Sequence, residues 1–135
     1  MTPAADIASL QAVTHRYGPT NALDDVTLSI PAGCMAGLIG PDGVGKSTML
    51  ALIAGVRKIQ TGSVRVLDGD MGNARHRQRC FSRIAYMPQG LGRNLYPTLS
   101  VFENLDFIAR LFGLSKAERT DRIHNLLTSI DLNQF

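Results

Sequence analysis

The chain has 135 residues, 44% hydrophobic and 19% charged, with a net charge of +3, two cysteines and no tryptophan. That composition supports one packed domain and excludes a disordered chain, a disulfide-stapled scaffold and a strongly basic nucleic-acid binder. No apolar run reaches the ~20 residues that span a bilayer, and the opening "MTPAADIASL" lacks the basic region of a signal peptide, so the expected setting is cytoplasmic.

In chain order, "SLQAVTHRYG" and "ALDDVTLSIPAG" read as strands ending in turns. In the second, Val26, Leu28 and Ile30 alternate with Thr27 and Ser29, the period of a half-covered strand. "CMAGLIG" is apolar without alternation, which predicts a strand covered on both faces with Cys34 in the core. Residues 46–56 read as a helix with Leu50, Ile53 and Ala54 on its inner side. "GSVRVLDG" is another strand, residues 74–82 a short basic helix with a solvated face, and "RIAYMPQG" a strand stopped by Pro88 and Gly90. Ser100 with Glu103, and Ser115 with Glu118, have the spacing of capping boxes and open two helices. Their apolar residues, Val101, Leu105, Ile108 and Phe112, then Ile123, Leu126, Leu127 and Ile130, are expected to pack helix on helix. His15, His76 and His124 have no metal-ligand spacing. "DGDMGNARHRQR" starts like a calcium loop but has Asn73 where Gly is needed and Arg79 where Glu is needed.

The stretch that carries chemistry is Gly40-Pro41-Asp42-Gly43-Val44-Gly45-Lys46-Ser47, which fits G-x-x-x-x-G-K-S/T. A polyphosphate bound by backbone N–H groups needs a concave turn with positive φ and no side chains in the way, which is why glycine recurs. The turn feeds a helix N-terminus, whose N–H groups and dipole favour anions. A lysine there opposes the dipole unless an anion neutralises it. Lys46 is therefore expected on the β- and γ-phosphates, the Ser47 hydroxyl on Mg²⁺, and Thr48 near the α-phosphate.

The segments around this loop resemble the ATP-binding cassette (ABC) family in order, from about Leu10 to Phe135. "VTHRYGPTNALDDVTLSIPAG" is similar to its opening hairpin, "GLIGPDGVGKSTMLALIAG" to its Walker A segment and "TGSVRVLDGD" to the strand that follows. "IAYMPQG" is similar to its Q-loop and "YPTLSVFENLDFIARLFGL" to the start of its helical subdomain. The resemblance implies an α/β P-loop NTPase core with an N-terminal antiparallel β subdomain over residues 1–95. It places the beginning of a helical subdomain at 96–135. It implies that Tyr17 stacks on adenine and that Gln89 reaches Mg²⁺ and the attacking water, which makes Lys46 and Gln89 the catalytic candidates. Asp42 is expected to be exposed and not catalytic. The signature loop, Walker B aspartate, catalytic glutamate and switch histidine of the family do not occur before Phe135, so the chain reads as the N-terminal part of one cassette, inactive alone.

Within the family, "MPQGLGRNLYPTLSVFENLDFIARLFG" resembles drug-export and ABC-2-type subunits and bacterial ribosome-associated ATPases. The function so implied is ATP-driven membrane export, peripheral to the inner membrane through a transmembrane permease and with a second cassette. Leu91, Leu95 and Tyr96 are candidates to face that permease. The alternative is a soluble ATPase acting on the ribosome; neither reading involves DNA.

Overall fold

The computed structural model describes residues 6–90 and 95–132. They fall into two compact units that meet in sequence between Tyr86 and Met87.

In the first unit, β1 (Asp6–Tyr17), β2 (Thr20–Pro31), β3 (Thr61–Val66) and β4 (Gly69–Asp70) form an antiparallel sheet in the order β2-β1-β3-β4. Helix α1 (Lys46–Ile53) contributes Met49 and Leu52 to the core beside Leu10, Val13, Leu23, Val64 and Met71. A second helix, α2 (Ala74–Cys80), continues into a short 3-10 turn, Phe81–Arg83.

Two of the four register shifts between β1 and β2 are marked by left-handed residues. Ala8 and Leu10 point inward, yet so do Val13 and His15, so the inward parity of β1 switches between them. The switch occurs at Ala12, whose φ is +51°, and Asp25 in β2 has a matching φ of +50°. Each bulged residue finds a hydroxyl in place of a ladder carbonyl: the Ala12 N–H donates to Thr27 Oγ1 at 2.9 Å, and the Asp25 N–H to Thr14 Oγ1 at 3.0 Å. The extra residue in each strand thus leaves no N–H unpaired at these two positions.

Helix α1 stops where the sequence places a glycine. Gly55 has φ +73°, its N–H donates to the Leu52 carbonyl at 3.1 Å, and the Val56 N–H reaches the Ala51 carbonyl at 3.1 Å. This is the Schellman arrangement. The buried side of α1 is Thr48, Met49, Ala51 and Leu52, with Ala54 just beyond its end. Leu50, expected inside, is exposed, and Ile53 is half-buried.

Residues 34–40 and 84–88 do not form the expected strands. A strand is held by its neighbours, and no described segment pairs with either. Cys34 is accordingly exposed and not a core residue; its thiol donates to the Pro31 carbonyl at 3.3 Å. Met35 and Ile39 are also exposed.

The second unit holds α3 (Val101–Leu111) and α4 (Lys116–Ser129), each opened by the expected capping box, Ser100 with Glu103 and Ser115 with Glu118. Asp106 of α3 accepts from Arg110 at 2.8 Å and from Arg119 of α4 at 2.6 Å. Asn104 is buried: its amide donates to the carbonyls of Tyr96, Leu99 and Ser100, and its Oδ1 accepts from the Tyr96 N–H. Ile123 and Leu127 are buried, as expected. Val101, Ile108, Leu126 and Ile130 are exposed, because a two-helix layer covers only the facing stripe of each helix.

Candidate phosphate-binding loop and base platform

The glycine turn lies between β2 and α1. Gly40, Pro41, Asp42, Gly43 and Val44 are exposed, and the turn closes through two left-handed glycines, Gly43 at φ +82° and Gly45 at φ +87°. Gly45 is the N-cap of α1. A Cβ built on it would lie 2.0 Å from the Ala22 carbonyl oxygen and 2.8 Å from Leu23 Cδ2, so the loop is pressed against the backbone of β2. Gly43 has open space instead, and its requirement is conformational.

The other three α-helices among the described residues begin with a side-chain cap, from Asn73, Ser100 or Ser115. Helix α1 begins with glycine, has no side-chain cap and carries no acidic residue in its first turn. Its leading N–H groups are left with their positive dipole end open to an anion. Lys46 bends its ammonium over the turn, donating to the carbonyls of Gly40 at 2.8 Å and Pro41 at 2.5 Å. Asp42 is exposed, as expected, and its carboxylate is 3.9 Å from that ammonium, a weak surface pair. Ser47 is exposed in the first turn, and Thr48 is buried behind it.

Tyr17 is brought to the same helix. Its hydroxyl lies 3.2 Å from Thr48 Oγ1, and its ring is partly exposed. His15 meets the ring edge-on with centroids 5.0 Å apart, and the Arg57 guanidinium lies over the ring at 4.9 Å from its centroid. His15 is buried with no partner for Nδ1 among the described residues; burial, and then the charge of Arg57, hold it below the ordinary imidazole range. Sequence reading missed both neighbours. The i, i+2 spacing of His15 and Tyr17 on one strand face carried a signal for the first. Nothing local marks Arg57, which arrives through the Gly55 turn.

Gln89 is exposed and belongs to the second unit, as do Leu95 and Tyr96, both exposed; Leu91 lies outside the described residues. No group of three or more His, Cys, Asp or Glu side chains among the described residues is placed to hold a metal ion. No helix among them is long and apolar enough to cross a membrane.

The chain is similar to known proteins over most of its length. The Fe(3+) ions import ATP-binding protein FbpC of Escherichia coli (strain K12) is 33% identical over 130 residues, covering 96% of this chain and 36% of that protein. The sn-glycerol-3-phosphate import ATP-binding protein UgpC 1 of Rhizobium johnstonii is 33% identical over 127 residues, covering 94% and 33%. The chain thus spans about a third of the length of the curated relatives it matches. Among solved structures, an ATP-binding subunit of an ABC transporter superposes with a TM-score of 0.79 at 29% identity, covering 95% of this chain and 52% of that one. The dimeric ATP-binding cassette MJ0796 bound to ADP and Pi superposes with a TM-score of 0.71 at 25% identity, covering 94% and 58%. The family model described as ABC transporter matches residues 23–135. The α/β chain with its antiparallel sheet and phosphate loop belongs to the ABC transporter family.

Proposed function

We propose that the chain is the ATP-binding part of an ABC-type ATPase that couples nucleotide binding and hydrolysis to transport through a membrane permease, working with a second cassette. One observation carries this reading: among the described α-helices only α1 lacks a side-chain cap, and the glycine turn before it brings an ammonium over its mouth. The amides of residues 43–48 would surround the phosphates, Lys46 would leave the Gly40 and Pro41 carbonyls for the β- and γ-oxygens, and Tyr17 would support the adenine. Ser47 would offer its hydroxyl to Mg²⁺, an ion that keeps few protein ligands and draws most of its shell from water and phosphate. Bound there, Mg²⁺ would offset the negative charge of the phosphates. Gln89, in the second unit, is the proposed contact to the attacking water. The helical unit around Leu95 and Tyr96 is the proposed permease side, which places the protein at the cytoplasmic face of a membrane complex.

For the direction of transport, the relatives named above are import proteins, which favours import over the export suggested by the phrasing of residues 87–113. They are transport subunits, so the ribosome-bound alternative gains no support from them. The test is calorimetric ATP binding, with and without Mg²⁺, by the complete protein and its Lys46→Ala variant. Loss of charge-assisted hydrogen bonds worth about 1.5–3 kcal/mol should weaken binding roughly 10- to 150-fold. Unchanged affinity would overturn the assignment.

A further inference from the structure

We propose that Arg57 is a positioning residue for the nucleobase: its guanidinium occupies one face of Tyr17 and so holds the ring as a rigid platform whose other face receives a purine. The inference rests on the reading of Tyr17 as the base platform and adds to it a residue that does not itself touch the nucleotide.

Tyr17 ends β1, just before the left-handed Gly18, where a partly exposed ring is free to change rotamer unless it is held. The segment after α1 holds it at two levels. Gln60 clamps the backbone next to it, accepting from the Arg16 N–H at 2.8 Å and donating to the Arg16 carbonyl at 3.1 Å. Arg57 holds the ring itself. The segment is in turn fixed to α1, because the Arg57 N–H bonds the Ala51 carbonyl at 3.3 Å and the Gly55 turn packs so closely on Met71 that a Cβ there would lie 2.7 Å from Met71 Cε.

Arg57 makes no ion pair with any carboxylate among the described residues; its guanidinium is spent on the aromatic face. A cation on one face of a phenol ring draws π-density toward itself. The opposite face is then less repulsive to the electron-rich face of a purine, which favours offset stacking. The same guanidinium could in principle act on the phosphates through its charge alone, and the two roles separate experimentally.

In the complete protein, dissociation constants for Mg·ATP and for Mg·tripolyphosphate, which has no base, are measured for the parent, Arg57→Ala, Arg57→Lys, Tyr17→Ala and the double variant Arg57→Ala/Tyr17→Ala. Arg57→Ala should weaken ATP binding roughly 2- to 5-fold, the size of an exposed cation–π contact. It should leave tripolyphosphate unchanged and have no further effect once Tyr17 is Ala; Arg57→Lys should restore part of the loss. Equal weakening of tripolyphosphate, an additive effect in the double variant, or unchanged ATP binding by Arg57→Ala would each overturn the proposal. If Tyr17→Ala weakens ATP binding and Arg57→Ala does not, this proposal alone fails. If Tyr17→Ala leaves ATP binding intact, the platform reading fails and takes this proposal with it.

Discussion

The phenolic oxygen of Tyr17 lies 3.2 Å from Thr48 Oγ1, so the last residue of β1 is joined directly to the first turn of α1. The side chain proposed to carry the base and the helix proposed to carry the phosphates are therefore in contact through a hydrogen bond. Tyr17→Phe removes the bond and keeps the ring, and should reduce ATP affinity by less than about 10-fold, the net worth of one neutral hydrogen bond. Tyr17→Ala removes the ring as well and should reduce it by roughly 5- to 150-fold, the equivalent of about 1–3 kcal/mol of stacking. Titration calorimetry of the two variants side by side checks the order.

Gly43 and Gly45 should respond differently to alanine. At Gly43 the added methyl meets nothing, and the cost is the left-handed backbone alone, about 1–2 kcal/mol. At Gly45 the same strain is joined by a collision with the Ala22 carbonyl that only backbone movement relieves. Gly45→Ala should therefore lose at least about 3 kcal/mol, at or beyond the upper end of the common range for point substitutions. Urea unfolding of both variants measures the difference.

Burial, with Arg57 beside it, lowers the His15 imidazole below its ordinary range. The unfolded chain then takes up that proton first as pH falls. The stability His15 contributes is fully present above its unfolded value of about 6.5 and is lost as pH drops through that value toward the folded one. Unfolding midpoints at pH 7.5 and 5.5 should differ in the parent and differ less in His15→Phe. An NMR titration of the ring should give a midpoint below that of free imidazole side chains.

In the second unit, Arg119 first, with Arg110, holds the Asp106 carboxyl below the usual carboxylate range. Its contribution is present above the unfolded carboxylate value and is lost as pH falls through the folded one. Asp106→Asn should therefore lower helix stability at pH 7 and narrow its difference from the parent below pH 4, followed by circular dichroism.

Asn104 closes the residues before α3 with four hydrogen bonds from a buried amide. Asn104→Ala strands the Tyr96 N–H and should cost about 1–3 kcal/mol. Hydrogen exchange should show the amides of residues 96–104 opening faster in the variant, with α4 affected less.

What the sequence disclosed was what short spacing encodes. The positive-φ glycines of the turn before α1, both Ser-x-x-Glu boxes and the alternation from Val26 to Ile30 depend on residues within a few positions of each other, and the structure shows each of these local features. The bulges at Ala12 and Asp25 were hidden because each is defined by a hydroxyl from the neighbouring strand. The apolar run 34–40 misled for a related reason: burial on both faces is a property of whatever flanks a segment, and the run alone does not record its flanks. At the site, the loop residues could be read directly, whereas Arg57 reaches Tyr17 across 40 positions of chain (57 − 17) through a helix and a turn.

Gly62 also fixes how the sheet can move. A methyl there would lie 2.3 Å from the Ala12 carbonyl oxygen, so β3 runs beside the kink of β1 with no room to spare. The kink acts as a detent: sliding β1 along β3 would drive a side-chain-bearing residue into that carbonyl. The close approach of Gly62 thus resists lengthwise slippage of the strand that ends at Tyr17, and so helps to fix where that ring stands beside α1.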